Sequence, residues 1–552
     1  MSRRLTVVRA AVGVGQTAGN VENSAGTPVA QGVLIVKVPF SVADFLQRAV
    51  SVYGDRIGVV DEPGVVGSLG EMTYHEMGQR VRGMARRLED MGIGVGDRVA
   101  IVSPNSAKFL LSFWGTGTYG RVLVPINFRL NTEEIAYIVK HSGARMLLVD
   151  PEQYDVVKDI DVEHLITLDG TDDAALFAPL GSDEAEPTAW SPDEDATATV
   201  NYTSGTTARP KGVQITHRNA WTNAVTFGWH ASVSDRDVYI HTLPMFHCNG
   251  WGQTYAVTGM GGRHIVLRKV DGVDILNRVE MHGVNFACGA PAVVAMTLDA
   301  AEKRVGNGQT IPGRDLMRMV VAGAPPPSKT IERVELELGW EFIQIYGLTE
   351  TSPLLTMNRR RAEYDGLSVE ERSKLLSRAG APAIGVTIEI SDDGEVCARS
   401  NVVFEGYWEQ PEETGKAIKN GFFHTGDGGY LDGAYVVIAD RKKDVIISGG
   451  ENVSSIEVED CLFQHPSIAE CAVIGVPDAK WGETIKALVV LRAGATVPTE
   501  RDVIDFCRSK MAHFKCPTSV EFREALARTA TGKLQKFKLR QPYWEGRDKL
   551  IN

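Results

Sequence analysis

The stretch DRVAIVSPNSAKFLLSFWGTGTYGRVLVPIN, residues 97–127, contains the pattern that decides the fold class. An apolar run that ends in a turn predicts a strand over 97–105, the segment 107–120 predicts a helix, and 121–127 predicts the next strand. A strand, a helix and a second strand in this order form a βαβ unit, in which the two strands run parallel.

The same alternation continues on the C-terminal side of this unit. The segment NTEEIAYIVKHSG predicts a helix, because Asn131 is placed to cap its first turn, Glu134 completes a capping box and Gly143 ends it. Further strands are predicted at 146–150, 264–270 and 316–323. Repeated units of this kind predict an α/β fold with mostly parallel sheets.

The pattern becomes a compact α+β set after about residue 440. A helix is expected near 454–464, strands at 469–477 and 485–494, and a second helix near 499–511. The junction DRKKD, 440–444, has five charged residues and nothing to bury, which is typical of an exposed hinge.

We therefore predict three parts in the chain. Residues 1–36, with little periodicity, form a loosely ordered leader; 37–440 form a large N-terminal domain; and 441–552 form a small, mobile C-terminal domain with its hinge at 440–444.

Composition excludes several classes of protein. The 58 Lys and Arg residues against 70 Asp and Glu give a formal charge of −12, which argues against a nucleic-acid binder. The seven cysteines are scattered and never spaced CxxC, so we expect neither a disulfide framework nor a zinc site. This cysteine usage suits a reducing cytoplasm. No apolar run approaches about 18 residues, so stable membrane insertion is not expected.

The strongest local signal for chemistry is YTSGTTARPKG, residues 202–212. A turn rich in hydroxyl groups and freed backbone N–H groups, followed by Lys211, is suited to holding phosphate. It is not a Walker loop, because Pro210 precedes the lysine and Gly212 follows it. The predicted phosphate-binding residues are Thr203, Ser204, Gly205, Thr206, Thr207 and Lys211.

This segment resembles the signature of the adenylate-forming enzymes, the superfamily of acyl-CoA synthetases, amino-acid adenylation domains and firefly luciferase. Five further segments resemble that family's motifs in the same order: AGAPPP (322–327), IYGLTETSP (345–353), GFFHTGD (421–427), DRKKDVIISGGENVSSIEVED (440–460) and RTATGKLQKFKLR (528–540). The resemblance spans nearly everything after Val38, and it implies a large N-terminal domain joined by a hinge to a small mobile one.

The resemblance implies a nucleotide site. The adenine would approach the backbone at Gly323, Ala324 and Pro325 and stack on Tyr346, beside Gly347. Asp427 would accept hydrogen bonds from the ribose hydroxyls, and Arg441 would be a second ribose contact.

The resemblance also implies a catalytic set. Glu350, together with Thr206, would ligate Mg²⁺, a hard cation suited to carboxylate and phosphate oxygens, and Thr349 lies in the same motif. Lys533 would carry the first half-reaction: a carboxylate attacking the α-phosphate of ATP brings two anions together, and one ammonium group between them lowers the barrier. No general base is needed, because the carboxylate is already ionised.

A change of domain orientation is part of the same implication. Lys443 occupies the family's hinge position, about which the small domain would rotate to withdraw Lys533 and present another face to coenzyme A. That face would include Gly449, Gly450 and Glu451.

The acyl pocket is assigned by family position to His247, Asn249, Gly250, Trp251 and Gly289. No acidic residue occurs from 241 to 262 or from 285 to 296. An amino-acid substrate needs a carboxylate to pair its ammonium group, so an uncharged, apolar acid is favoured, either a medium or long aliphatic acid or a bulky cyclic one. His247 has two interpretations, a residue that closes the pocket and a packed core histidine.

The leading hypothesis is an AMP-forming carboxylate:CoA ligase, most like medium- or long-chain acyl-CoA synthetases, that uses ATP, Mg²⁺ and coenzyme A. Two alternatives stay open: a ligase that loads a carrier protein, and a non-catalytic scaffold that binds nucleotide. The expected partners are small molecules and not nucleic acid. A homodimer is one alternative for the oligomeric state. The expected location is the cytoplasm.

Overall fold

Strands and helices alternate along the chain in the computed structural model, which describes residues 37–203, 209–441, 445–448, 451–478, 482–528 and 534–545. The α-helices within these ranges are α1 (Ala43–Tyr53), α2 (Tyr74–Asp90), α3 (Ala107–Gly117), α4 (Thr132–Ser142), α5 (Tyr154–Val157), α6 (His217–His230), α7 (Cys248–Trp251), α8 (Gln253–Met260), α9 (Gly272–His282), α10 (Pro291–Gly306), α11 (Ser328–Arg333), α12 (Val369–Leu376), α13 (Pro411–Ala417), α14 (Ser455–Phe463), α15 (Glu500–Arg508) and α16 (Lys536–Trp544).

The strands of the same ranges are β1 (Ile57–Val60), β2 (Glu71–Thr73), β3 (Arg98–Val102), β4 (Val122–Ile126), β5 (Ala144–Val149), β6 (His164–Thr167), β7 (Thr197–Thr203), β8 (Lys211–Thr216), β9 (Val238–Ile240), β10 (Arg263–Ile265), β11 (Phe286–Gly289), β12 (Arg318–Val321), β13 (Glu341–Tyr346), β14 (Thr356–Asn358), β15 (Ala381–Pro382), β16 (Thr387–Ile390), β17 (Glu395–Arg399), β18 (Gly406–Tyr407), β19 (Ile418–Lys419), β20 (Phe422–Asp432), β21 (Tyr435–Arg441), β22 (Ile446–Ser448), β23 (Glu451–Val453), β24 (Ile468–Asp478), β25 (Gly482–Leu491) and β26 (Ser519–Phe522).

Two large sheets form the body of the molecule. The first has the strand order β15-β14-β13-β12-β11-β9-β10-β1-β2 and the second β18-β8-β7-β4-β3-β5-β6. Strands β13 to β1 of the first sheet, and β7 to β6 of the second, run parallel, and the antiparallel pairs lie at the sheet edges. The central strands are almost wholly apolar and buried, as expected of sheets that are covered on both faces. The prediction of mostly parallel sheets is confirmed for this body.

The βαβ unit predicted at 97–127 is present as β3, α3 and β4. Every residue of α3 is buried, because its side chains lie in a core cluster that contains residues of both large sheets. The next helix, α4, begins and ends as its sequence predicts: Asn131 and Glu134 form the capping box, and Gly143 closes the helix at a φ of +63°.

A third sheet was not predicted from the sequence. Its strand order is β16-β17-β20-β19, with β21 paired to β20, and all its pairings are antiparallel. The prediction of mostly parallel sheets therefore does not extend to residues 387–441, whose strands pair antiparallel. This sheet carries the GFFHTGD motif.

The C-terminal part has the α+β composition that was predicted. Strands β22 to β26 form a five-stranded sheet, in which β24 and β25 pair antiparallel over their length and β26 joins β25 in parallel. Helices α14 and α15 pack with this sheet around a core cluster of their own. Thr499 and Asp502 form the capping box of α15.

The Asp460 side chain connects α14 with α11, the short helix that follows AGAPPP. The Asp460 carboxylate oxygen Oδ1 accepts hydrogen bonds from the backbone N–H of Ser328 at 3.0 Å and from its hydroxyl at 3.2 Å. Ser328 is the first residue of α11, so a carboxylate from α14 receives one of the N–H groups that the start of a helix leaves unpaired.

The seven cysteines are all buried free thiols. The prediction of a chain without a disulfide framework is consistent with this. Among the described helices, none combines the length and the apolar character that a membrane span requires.

Candidate active site

The ends of three neighbouring strands place predicted residues of the nucleotide site and of the acyl pocket at one edge of the first sheet. Strands β11, β12 and β13 are adjacent and parallel. Gly289 ends β11, Gly323 follows β12 by two residues, and Tyr346 ends β13. Carboxyl ends of parallel strands meet at one sheet edge, which is where α/β proteins bind ligands. The sheet therefore brings the AGAPPP and YGLTET segments together.

Two glycines at this edge are required by the backbone. Gly323 has a φ of +99°, a conformation that a side chain disfavours. At Gly347 an added Cβ would lie 1.5 Å from the carbonyl oxygen of Pro353, so any other residue would displace the loop. At both positions, a residue with a side chain would strain or displace the backbone.

Tyr346 and Asp427, both predicted nucleotide contacts, are in direct contact. The Tyr346 hydroxyl donates a 2.9 Å hydrogen bond to Asp427 Oδ2. Asp427 lies on β20 and pairs in register with Arg441 on β21, of which only the backbone is described. The antiparallel sheet thus brings the two predicted ribose residues to opposite positions on neighbouring strands.

The predicted phosphate loop joins β7 and β8. Thr203 and Lys211 are register partners at the end of this hairpin that the loop connects. Ser204, Gly205, Thr206 and Thr207 lie outside the described residues.

Lys211 makes two contacts that the sequence did not reveal. Its ammonium group forms an ion pair with Glu413 at the start of α13, and it lies 4.9 Å from the centre of the Tyr407 ring. The hydrogen bond from Lys211, supported by one from Lys416, lowers the pKa of Glu413 to about 2. Glu413 is therefore ionised at neutral pH and holds the lysine at the hairpin.

Tyr407 connects this lysine with Glu350. Its hydroxyl donates a 2.9 Å hydrogen bond to Glu350 Oε1. Burial, reinforced by the neighbouring Glu350 carboxylate, raises the pKa of Tyr407 well above its usual value, so the hydroxyl remains a donor at every physiological pH. Lys211, Tyr407 and Glu350 thus form one group, and the sequence analysis missed Tyr407.

Glu350 lies in a short 3-10 turn formed by Thr349, Glu350 and Thr351, directly after β13. Glu350 thus offers a carboxylate oxygen near the predicted phosphate-binding hairpin, and carboxylate oxygens are the ligands that Mg²⁺ prefers. The residues present therefore fit the predicted cation. The second predicted ligand, Thr206, falls outside the described ranges.

The segment assigned to the acyl pocket is a tight, buried turn. Asn249 and Gly250 have φ values of +51° and +58°, which bend the chain between His247 and Trp251. The Asn249 amide donates to Thr199 Oγ1 at 2.8 Å, so its side chain is directed into a buried polar network. Trp251 is 4% exposed and packs in the core, while His247 is half-buried.

Two contacts join this turn to the YGLTET segment. The Cys248 thiol lies 3.9 Å from the carbonyl oxygen of Thr349. Asn223 on α6 accepts a hydrogen bond from Leu354 N–H at 3.1 Å and donates to the Trp251 carbonyl at 3.3 Å. Asn223 was not predicted, and it holds the predicted acyl segment beside the predicted catalytic motif.

The remaining predicted residues belong to the hinge and the C-terminal part. Lys443, Gly449, Gly450 and Lys533 lie outside the described residues. Glu451 begins β23 and is exposed.

Two protein-family models match the chain. Residues 46–408 match the family model of the AMP-binding enzymes, and residues 457–533 match the model of the AMP-binding enzyme C-terminal domain. The chain belongs to the AMP-binding enzyme family. The predicted resemblance to the adenylate-forming enzymes is thereby confirmed.

Similar proteins from this family cover nearly the whole chain. It is 35% identical to 2-methylpropanoate–CoA ligase CCL4 of Humulus lupulus, over 91% of this chain and 95% of that protein. It is 36% identical to 4-hydroxybutyrate–CoA ligase 2 of Metallosphaera sedula, over 90% of this chain and 93% of that protein. The prediction of an acid–thiol ligase is confirmed by these relatives of the AMP-binding enzyme.

Solved structures of the family share the fold. The anthranilate CoA ligase AuaEII, crystallised with anthranoyl-AMP, superposes with a TM-score of 0.81 at 25% identity, covering 92% of this chain and 98% of that one. A Mycobacterium tuberculosis fatty acyl CoA synthetase gives a TM-score of 0.66 at 30% identity over 91% and 98% of the two chains. The predicted α/β architecture of an adenylate-forming enzyme is confirmed.

Proposed function

We propose that this AMP-binding enzyme activates an uncharged, apolar carboxylic acid, a fatty acid or a bulky cyclic acid, with ATP and transfers the acyl group to coenzyme A. In the first half-reaction a carboxylate oxygen bonds to the α-phosphorus of ATP and pyrophosphate leaves. In the second, the sulfur of coenzyme A bonds to the acyl carbon and AMP leaves. The same site serves both steps in turn.

The observation that carries this proposal is the group formed by Lys211, Tyr407 and Glu350. It places an ammonium group and a carboxylate at the mouth of the phosphate-binding hairpin, joined by one tyrosine. The ammonium group is suited to the terminal phosphates of ATP. Glu350 and Thr206 would hold Mg²⁺, which shields the negative charge of the phosphates when bound.

A second pair is proposed to position the nucleoside. Asp427, fixed by the Tyr346 hydroxyl, would accept the ribose hydroxyls, with Arg441 opposite it in the sheet. Gly323, Ala324 and Pro325 would lie against the adenine. Holding both ends of the nucleotide places the α-phosphate in a fixed position for attack.

Catalysis of the two steps is assigned to the C-terminal part. Lys533 would bridge the attacking carboxylate and the α-phosphate during adenylation. A rotation at Lys443 would then withdraw it and bring Gly449, Gly450 and Glu451 toward coenzyme A. Alternation of this kind lets one nucleotide site perform two reactions without releasing the acyl-AMP.

The proposed class of acid rests on the residues around the acyl segment. Phe246, Cys248 and Trp251 are buried in the core, and the segments 241–262 and 285–296 contain no carboxylate to pair an ammonium group. Desolvating an unpaired charge there is costly. An acyl group without charge therefore fits best. We propose the cytoplasm as its location, although one relative is named peroxisomal.

A direct test supplies ATP, Mg²⁺, coenzyme A and one acid at a time. The acids should run from 2-methylpropanoate and 4-hydroxybutyrate through long fatty acids to aromatic and polycyclic acids, and pyrophosphate, AMP and acyl-CoA are followed separately. We expect all three products with apolar acids. If pyrophosphate and AMP form without acyl-CoA, and the acyl group is transferred to a phosphopantetheinyl carrier protein, the acceptor is the carrier protein and not coenzyme A. No pyrophosphate with any acid would contradict the proposal.

Lys533→Ala tests the assigned order of the two steps. Adenylation should fall by at least about 10²-fold, the loss seen when one preorganised charge stabiliser is removed, while thioester formation from supplied acyl-AMP should change much less. Lys538→Ala is the matched control, because this nearby lysine has no assigned role. Equal loss of both half-reactions in Lys533→Ala would contradict the two-orientation mechanism.

A further inference from the structure

The antiparallel sheet brings three metal-ligand side chains to one place. Cys397 on β17 is the register partner of His424 on β20. Glu395 lies two residues before Cys397 on the same strand, and residues two apart in a strand share a face. The register shifts between Glu395, which pairs with Gly428, and Cys397. The ligand atoms of Glu395, Cys397 and His424 nevertheless converge, although the sequence shows no metal motif.

The ligand atoms of these three side chains converge. The Cys397 sulfur lies 3.5 Å from His424 Nδ1, and the same nitrogen lies 3.1 Å from Glu395 Oε2. One atom from each residue lies within 4.8 Å of the other two. Nδ1 of the imidazole is thus directed toward the other two ligand atoms.

We propose that Glu395, Cys397 and His424 form a binding site for one thiophilic divalent cation of the Zn²⁺ class. With Zn–S of about 2.3 Å and Zn–N of about 2.0–2.1 Å, a tetrahedral angle separates the sulfur and nitrogen by about 3.6 Å; the corresponding nitrogen–oxygen separation is about 3.4 Å. The observed 3.5 Å and 3.1 Å are close to these values. Only small side-chain movements are needed to admit the ion.

The three residues differ in solvent exposure, as expected of a metal site that solvent can reach. Cys397 is 4% exposed, and the side chains of Glu395 and His424 are 13% and 25% exposed. The thiol is shielded, while the imidazole side admits water. Three protein ligands plus one solvent molecule is the arrangement of accessible zinc sites. When the ion binds, the Cys397 thiol releases its proton to solvent and bonds as a thiolate.

The carboxylate of this cluster is held by an outer contact. Glu395 Oε1 accepts a 2.8 Å hydrogen bond from the backbone N–H of Gly426, which leaves Oε2 directed toward His424. Outer contacts of this kind orient metal ligands and raise affinity. Gly426 directly precedes Asp427, so the proposed cation site adjoins the proposed ribose contact.

The proposal is tested on the full chain without nucleotide or acid, so it succeeds or fails independently of the proposed function. Purified protein is stripped with a chelator, and Zn²⁺ binding is measured by calorimetry in a buffer without Mg²⁺. Co²⁺ is then added as a spectroscopic probe, because a thiolate ligand gives cobalt a charge-transfer band. We expect one Zn²⁺ site and a thiolate band that appears at one equivalent of Co²⁺.

Variants assign the site to its residues. Cys397→Ser should remove the thiolate band and weaken Zn²⁺ binding by at least about 100-fold, whereas Cys516→Ser, which replaces another buried thiol, should change neither. Glu395→Gln keeps an oxygen for Gly426 N–H and should weaken binding by about 10-fold or more even if Cys397→Ser does not fold. An unchanged binding isotherm in a folded Cys397→Ser, or in Glu395→Gln, would overturn the proposal, as would the absence of Zn²⁺ binding to the wild type.

Discussion

Two lysine–carboxylate pairs in different regions of the molecule differ in burial, and the difference separates a structural role from a proposed functional one. Lys108, on the fully buried helix α3, lies 2.5 Å from Asp173, and their side chains are 4% and 0% exposed. Lys211, at the mouth of the hairpin, pairs with Glu413, and their side chains are 19% and 29% exposed. A buried ion pair must stay intact, because separating its partners leaves an unpaired charge in the core. A solvated pair can exchange its carboxylate for a phosphate at little cost.

The largest effect is expected from breaking the buried pair. Asp173→Ala leaves the Lys108 ammonium group without its anion and should lower the free energy of unfolding by about 3–5 kcal/mol. Denaturant unfolding monitored by circular dichroism measures this, and the activity per folded molecule should be retained.

The double variant Lys108→Met/Asp173→Leu sharpens that result. Since it removes both charges together, its stability should return close to that of the wild type. A double variant as unstable as Asp173→Ala would mean that packing, rather than the unpaired charge, causes the loss.

A smaller effect is expected at the exposed pair, and it should appear in catalysis. Lys211→Ala should lower kcat/KM for ATP by about 100-fold, because the variant lacks the charge that is proposed to face the phosphates. The thermal midpoint should move little. Lys416→Ala removes the other cation bound to Glu413 and serves as the control. A large loss of stability with normal kinetics in Lys211→Ala would remove the distinction between the two regions.

Tyr407→Phe is expected to act more weakly still. The variant keeps the ring under Lys211 and removes only the hydroxyl that donates to Glu350. We expect a fall of about 10-fold in kcat/KM, in line with the loss of one hydrogen bond to a charged group, and a higher Mg²⁺ requirement. Tyr430→Phe, at an exposed position on β20, is the matched control. An unchanged Mg²⁺ dependence would argue against a positioning role for Tyr407.

The smallest effect concerns pH. The pKa of Glu413 is lowered to about 2 from its ordinary 4.5, mainly by the hydrogen bond from Lys211. A lowered carboxyl pKa stabilises the folded state above the unfolded pKa, and this contribution is lost as the pH falls from about 4.5 to about 2. The thermal midpoint of the wild type should therefore exceed that of Glu413→Gln above pH 5 and approach it in acid. A constant difference across this range would contradict the ion pair.

Sequence patterns predicted what depends on neighbouring residues. The capping box of Asn131 and Glu134, the end of α4 at Gly143 and the parallel strands follow from local periodicity and turn chemistry. The order of the motifs indicated the family, since each motif is a short continuous segment. The prediction of domain boundaries at 36 and 440 stays a prediction.

Contacts between distant segments were not predictable in this way. Lys211 and Glu413 are 202 residues apart, and no spacing rule connects them. The third sheet was missed, although its strand β20 is 11 residues long. Cys397 and His424 become neighbours only through the register of two strands. Such pairs depend on strand alignment, which a hydrophobic pattern does not specify.

The hydrogen bonds between Asp460 and Ser328 have a mechanical consequence for the proposed cycle. A rotation at 440–444 that carries α14 away must break all of them, and Ser328 follows the AGAPPP segment directly. Departure of the C-terminal part would therefore remove the anionic acceptor from the first turn of α11, next to the segment that is proposed to contact the adenine. The proposed rotation would in this way be coupled, through the Asp460 carboxylate, to the backbone beside the proposed adenine contacts.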